Sequence, residues 1–341
     1  MRTMNQDTIT LIVRGFMHIF MQVMFVLFMS PLIINLMKRV KAHFQRRIGP
    51  GLLQGYYDLW KLLRKDIVIS EHASWIFRAT PYVVFSATLV AAVMVPSFFS
   101  KSVTAINSGT GTSQIAGVFE SIGVGDAILV IYLLALARFF TVMAGLDTGS
   151  AFGGMGSSRE MMISSLAEPV SMTGLFVLAT VAGSTNFGDI IEKSLSLGFV
   201  QPVYLLLFLA FMIVAVAETG RVPVDNPATH LELTMVHEAM ILEYTGRHLA
   251  LIEWAGSIKL MMLLTIIANV FIPWGISSTT ALPAVVLGIF AIVIKVGLLA
   301  TTIAIMESSI AKLRLFRIPE LMGGAFALVM LALIIKTTGM G

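Results

Sequence analysis

Two carboxylates sit where a carboxylate is expensive. Glu168 lies inside a long apolar stretch, in Leu166-Ala167-Glu168-Pro169-Val170, and Glu218 closes another, in Ala217-Glu218-Thr219-Gly220-Arg221. An ionisable side chain at membrane depth costs about 3 kcal/mol on insertion scales, so a working role is its default reading. A lone Glu facing lipid would be protonated and inert, whereas one paired or water-connected inside a bundle can relay protons. Beyond Glu218 come Asp225, Glu232, Glu238, Glu243 and Glu253, interleaved with His230, His237 and His248. The segment from Glu218 to Glu253 thus holds six of the 19 acidic residues and three of the six histidines. Clustered carboxylates raise one another's pKa and desolvation adds to the shift, which brings proton exchange near neutral pH. A solvated connector is the plainer reading. Against it stand the interleaved apolar residues Leu231, Leu233, Met235, Val236, Met240, Ile241 and Leu242, which argue for burial.

Other chemistries find little support. His230 and His237 are two helical turns apart, but Ile241 stands where a zincin-type second histidine would be, so no metal site is assigned. No Gly-x-Gly-x-x-Gly or phosphate loop is present, and nothing suggests nucleophilic catalysis or nucleic-acid binding. The cysteine count is zero, which removes disulfides, thiolate zinc sites and iron–sulfur ligation. Any electron carriers of a redox system would therefore sit on partner subunits.

The elements that must position these groups are membrane helices. Of 341 residues 57% are apolar and 12% charged, against about a quarter charged in a soluble domain. Too little charge is present to cover a water-facing surface, and mean hydropathy is +0.89. Eight stretches are long and apolar enough to span a bilayer, which needs roughly 20 residues. They run about Phe16–Met37, Pro81–Phe99, Ala127–Leu146, Met161–Gly183, Pro202–Ala217, Trp254–Trp274, Ala281–Met306 and Leu321–Ile335. The expected fold is an all-α integral membrane protein of eight transmembrane helices, a single polytopic domain over 1–341. The first stretch has no small-residue cleavage site after it and is not read as a signal peptide. Arg138, Lys259 and Lys295 also lie inside stretches, as structural ion pairs, snorkelling side chains or functional groups.

Lys and Arg placement sets the expected orientation. Fourteen of the 23 fall after stretches one, three, five and seven, and five on the opposite side. The first group of loops is therefore read as cytoplasmic, with both termini outside. Two cytoplasmic loops are long, about 38–77 and 218–253. The first carries Arg46-Arg47-Ile48-Gly49-Pro50-Gly51, turn chemistry after a basic run. Leu52, Leu53, Tyr56, Leu59, Trp60 and Leu63 then recur at helical spacing, with Gln54, Asp58, Lys61 and Arg64 opposite. That pattern predicts an amphipathic helix in the membrane interface, either a simple surface helix or a docking element beneath a cytoplasmic partner. In the second loop, Gly220, Pro223 and Pro227 exclude one continuous helix from Glu218 to Pro227.

These motifs carry a resemblance. Arg46-Arg47-Ile48-Gly49-Pro50, with Asp58, Lys61, Lys65 and Asp66, resembles the first cytoplasmic loop of the NADH dehydrogenase subunit 1 family of respiratory complex I. Ala217-Glu218-Thr219-Gly220-Arg221-Val222-Pro223-Val224-Asp225 resembles its third cytoplasmic loop, where the family pattern is Ala-Glu-Thr-Asn-Arg-x-Pro-x-Asp. Glu168 occupies the place of the family's glutamate in span four. The likeness extends over nearly the whole chain. Departures are Gly51 directly after Pro50, Gly220 for Asn, Asn226-Pro227 for an apolar-Ala pair, and Ala228 and His230 for two further glutamates. Three extra residues also separate Glu232 from Glu243. The run from Asp225 to Met240 is similar instead to the membrane subunit of energy-converting nickel–iron hydrogenases of the hydrogenase-4 and formate hydrogenlyase type.

The resemblance implies a non-catalytic subunit in a bacterial or archaeal cell membrane, anchoring the hydrogenase large and small (iron–sulfur) subunits beside antiporter-like membrane subunits. The nickel–iron site and iron–sulfur clusters would reside on those partners, with no cofactor on this chain. Glu168, Glu218, Asp225, Glu232, Glu238 and Glu243 would form a proton path. Arg46, Arg47, Asp58, Lys61 and Arg221 would dock the soluble module or, for the arginines, set carboxylate pKa values. Two other readings stay open: a quinone-site subunit of an NADH:quinone oxidoreductase, and an autonomous transporter.

Overall fold

The computed structural model describes residues 6–69, 73–98, 125–197, 201–225, 236–276 and 282–338. The described chain is helical throughout: α1 (Gln6–Phe44), α2 (Gln54–Leu63), α3 (Trp75–Met94), α4 (Ala127–Asp147), α5 (Ala151–Ala182), α6 (Phe187–Leu197), α7 (Pro202–Glu218), α8 (His237–Ile241), α9 (Gly246–Phe271), α10 (Leu282–Ser309) and α11 (Ile318–Thr337). No strand occurs among the described residues beyond one isolated bridge, Asp126 to Asn186.

Among the described residues seven helices are long and apolar enough to cross a membrane, and the helix of the fifth stretch, Pro202–Glu218, is shorter. At 1.5 Å per residue its 17 residues reach about 26 Å, a little under the hydrocarbon thickness. Each predicted stretch coincides with a helix, but several helices run further. Ser74 caps α3 by accepting from the Ile76 N–H (3.2 Å), so the helix starts before Pro81 and takes in Arg78. The third predicted cytoplasmic loop also ends early: α9 already begins at Gly246 and carries Arg247, His248 and Glu253.

Helix α9 is the axis of the bundle. It packs against α1, α2, α3, α6, α7 and α10, and most of its side chains are buried. Lipid tails are as apolar as leucine, so such helices associate through close packing and interhelical hydrogen bonds. Both are present. Phe271 on α9 is ringed by Tyr204, Phe208 and Phe211 of α7, with centroids 5.7–6.3 Å apart. Trp254 donates its indole N–H to the Leu27 carbonyl of α1 at 3.2 Å. Tyr244 stacks on Phe77 at 4.0 Å and donates to its carbonyl at 2.9 Å, pinning α8 and α9 to α3. Helix α2 lies against α1 and α9. Its Tyr56, Leu59 and Leu63 are half-buried, while Tyr57, Asp58, Trp60 and Lys61 are exposed. Leu52 and Leu53, expected on its apolar face, precede the helix and are exposed.

Candidate functional site: a buried ionic cluster between two cavities

Helix α7 ends where its sequence requires. Gly220 takes φ 56°, which lets its N–H reach the Ala217 carbonyl (3.2 Å) and the Arg221 N–H reach the Val216 carbonyl (3.0 Å). These are the two bonds of a Schellman motif, whose left-handed position favours Gly and sometimes Asn. Glu218 therefore sits on the last turn of α7, pointing into the bundle, with 6% of its side chain exposed.

Two cations meet it there. Lys259 of α9 places Nζ 2.8 Å from Glu218 Oε2. Arg138, from the middle of α4, donates Nη2 to the same oxygen and Nη1 to Glu168 Oε1 of α5 (2.5 Å). Its Nε lies 3.6 Å from Glu160 Oε1. One guanidinium thus faces three carboxylates from two helices, each through a different nitrogen of its planar fork. Burying such ions costs several kcal/mol each, offset only while the partners remain in place. Glu168 is the most open member, with 40% of its side chain exposed.

Arg138 and Glu218 stand between two cavities. The first, about 90 Å³, includes Thr88, Thr141, Glu160, Gly220, His237 and Lys259 in its wall. It has the room and the polar partners to take several water molecules. The second, about 40 Å³, is lined mostly by apolar side chains such as Val130, Leu175, Phe211, Val214 and Ile267 and reaches Glu168 and Ser171. Both share Leu134, Arg138 and Glu218.

A second set of ion pairs lies beyond the α7 turn. Arg221 Nη1 is 3.2 Å from Glu307 Oε1 at the end of α10, and Lys41 of α1 pairs with Oε2 of the same carboxylate. Lys312 Nζ lies 2.7 Å from Asp225 Oδ1. Burial pushes the Arg221 guanidinium down to about 10, which leaves it a cation at neutral pH.

Residues 17–338 match the family model described as NADH dehydrogenase. The chain belongs to this family. Formate hydrogenlyase subunit 4 of Escherichia coli (strain K12) is 34% identical over 306 residues, which are 89% of this chain and 93% of that protein. Hydrogenase-4 component C of the same organism is 32% identical over 329 residues, 96% of this chain and 98% of that one. A subunit of the NADH-quinone oxidoreductase of Thermomicrobium roseum is 27% identical over 258 residues, 69% of this chain and 70% of that one. The fold is shared with a chain in the solved membrane-bound sulfane sulfur reductase, an archaeal respiratory membrane complex, with a TM-score of 0.76 at 18% identity, covering 93% of this chain and 99% of that chain.

In this NADH dehydrogenase-family chain the predicted site residues separate into groups. Glu168 and Glu218 share one guanidinium. Asp225 is buried and pairs with Lys312. Glu238 on α8 is half-buried, and Glu243 is exposed. Glu232 lies outside the described residues. Arg46, Arg47, Asp58 and Lys61 are exposed, Asp58 accepting from Gln54 Nε2 at 2.9 Å. Arg221 instead turns inward to Glu307. Arg138, Lys259 and Glu160 join the site, and Lys41 and Glu307 the neighbouring ion pairs, none of them among the predicted site residues. A charge inside an apolar stretch is the signal for the first two, and complementary signs on separate helices would have paired them. Among the described residues no group of three His, Asp or Glu is placed to hold a metal ion.

Proposed function

We propose that this chain is the membrane-anchor and proton-path subunit of a hydrogenase-4 or formate-hydrogenlyase-like complex. The observation that carries the reading is Glu218, held by Arg138 and Lys259 between a polar and an apolar cavity, with Glu168 on the same guanidinium. Fully ionised, Arg138 and Lys259 face Glu160, Glu168 and Glu218, leaving one net negative charge that one proton neutralises. Glu168, the most open member of the cluster, is the group through which that proton would come and go. Protonation there frees one arm of Arg138, so the guanidinium shifts its hold toward Glu218 and Glu160. Water in the first cavity would bring protons in from the loop side, and Glu168 would pass them on. Asp225, Glu232, Glu238 and Glu243 would extend the path at the cytoplasmic surface. Glu238, Lys38 and Asp58 lie within electrostatic range of Glu253, which favours a continuous charged entrance. Coupling is electrostatic: a charge change at a distant redox centre alters the protonation of these carboxylates.

In this reading α7 is the eighth span, α2 lies in the membrane interface, and the odd-numbered loops face the cytoplasm with both termini outside. Arg46, Arg47, Asp58 and Lys61 present a charged surface to the hydrogenase large and small subunits, which hold the nickel–iron site and iron–sulfur clusters. Antiporter-like subunits lie alongside in the cell membrane. The relatives in formate hydrogenlyase and hydrogenase-4 match 89% and 96% of this chain at 34% and 32% identity. They favour this reading over a quinone-site subunit, whose Thermomicrobium relative matches 69% of the chain at 27% identity. Affinity purification of the tagged chain from its own membranes tests the choice. The expected result is a co-purifying nickel–iron subunit with hydrogenase activity. Bound quinone without hydrogenase activity would contradict it.

A further inference from the structure

The α7 turn sends its two flanking charges to different clusters. Glu218 faces Arg138 and Lys259, while Arg221, three residues on, faces Glu307. The Glu307 side chain is fully buried, and each of its oxygens meets a cation, Arg221 on one and Lys41 on the other. The segment after the turn is held to the same end of α10 by two more bonds, Lys312 to Asp225 (2.7 Å) and the Leu313 N–H to the Pro223 carbonyl (2.9 Å). Lys41 stands on the last turn of α1, five residues before Arg46, where the exposed basic loop begins. A continuous chain of contacts therefore runs from that loop through Lys41, Glu307 and Arg221 to the helix end that bears Glu218.

We propose that Lys41, Glu307 and Arg221 form an ionic latch that seats Glu218, with Glu307 a positioning residue for the proton site. The two hydrogen bonds of the Schellman turn make residues 216–221 a short rigid lever. A displacement of Arg221 is carried to Glu218 and changes its fit against Arg138 and Lys259. Movement of the first loop reaches Lys41 and loads or unloads the latch. The inference rests on the cluster bridged by Arg138 being the proton site, and it adds a mechanical input from the surface where we place the soluble module.

The test uses the intact complex in nanodiscs, with Glu307→Gln and the milder Lys41→Gln, whose native side chain is 23% exposed. Amide exchange over residues 219–225 is read by mass spectrometry, and the pH profile of hydrogenase-coupled proton uptake is read alongside. The latch predicts exchange about tenfold faster in both variants. It also predicts a pH midpoint displaced by more than about half a unit, with Glu307→Asp returning both toward wild type. Should Glu307→Gln fail to assemble, Lys41→Gln alone decides. Unchanged exchange overturns the latch, and faster exchange with an unmoved pH profile reduces Glu307 to a structural tie and overturns its positioning role. The exchange readout does not depend on proton transfer, so failure of the proton-path reading, seen as wild-type proton uptake in Glu168→Gln, is distinguishable from failure of the latch.

Discussion

Arg138 holds the site together because one guanidinium can face three carboxylates at once. Replacing it with Met leaves Glu168 without its cation contact and Glu218 with Lys259 alone. Removing one member of a buried ionic group typically costs about 3 kcal/mol, and the purified complex should melt at a lower temperature in Arg138→Met. An unchanged melting midpoint would show that the cluster is not a stabilising unit. Arg138→Lys should retain part of the stability while losing proton-coupled turnover, since a single nitrogen lacks the fixed fork that gives Glu168 and Glu218 separate donors. The two glutamates were legible in the sequence because a carboxylate inside an apolar stretch stands out whatever surrounds it. Their partners were not, because Arg138 lies 30 residues from Glu168 and 80 from Glu218. Only the packing of α4 against α5 and the direction of the α7 terminus bring them together. Arg221 shows the limit in reverse: a loop arginine beside a docking motif reads as exposed, yet the Schellman turn aims it at Glu307.

At the level of elements, each apolar stretch of the sequence falls on a helix, seven of them long enough to cross a membrane among the described residues, but several ends differ. Apolar stretches mark where lipid must be met, whereas helices continue as long as backbone bonds and caps permit. Arg78 on α3 and Arg247, His248 and Glu253 on α9 lie on such extensions. The break at Gly220 was readable, because glycine followed by proline cannot continue a helix, and α7 does stop at Glu218. A Cβ at Gly220 would meet only His237 Cβ at 3.8 Å, so space does not forbid a side chain there; the left-handed backbone does. Gly220→Asn should therefore keep assembly and proton uptake near wild type. Gly220→Val should strain the turn by about 1–2 kcal/mol, displace Glu218 and lower proton uptake. Equal uptake in the two variants would detach the turn from the site.

For the molecule as a whole, the charges divide the labour. The exposed arginines Arg46 and Arg47 lie at the end of the bundle where α1 closes, and the buried charges lie within it. Reversing both arginines to Glu should leave the membrane chain folded and reduce recovery of hydrogenase subunits on the tagged chain at least fivefold. Undiminished recovery would place the docking surface elsewhere. If protons pass through the cluster bridged by Arg138, proton movement by the reconstituted complex carrying Glu168→Gln reports it. The expected result is an assembled complex with its hydrogenase centre intact and proton movement reduced about a hundredfold, the lower end of what one positioned acid–base group contributes. Wild-type proton movement in that assembled variant would contradict it.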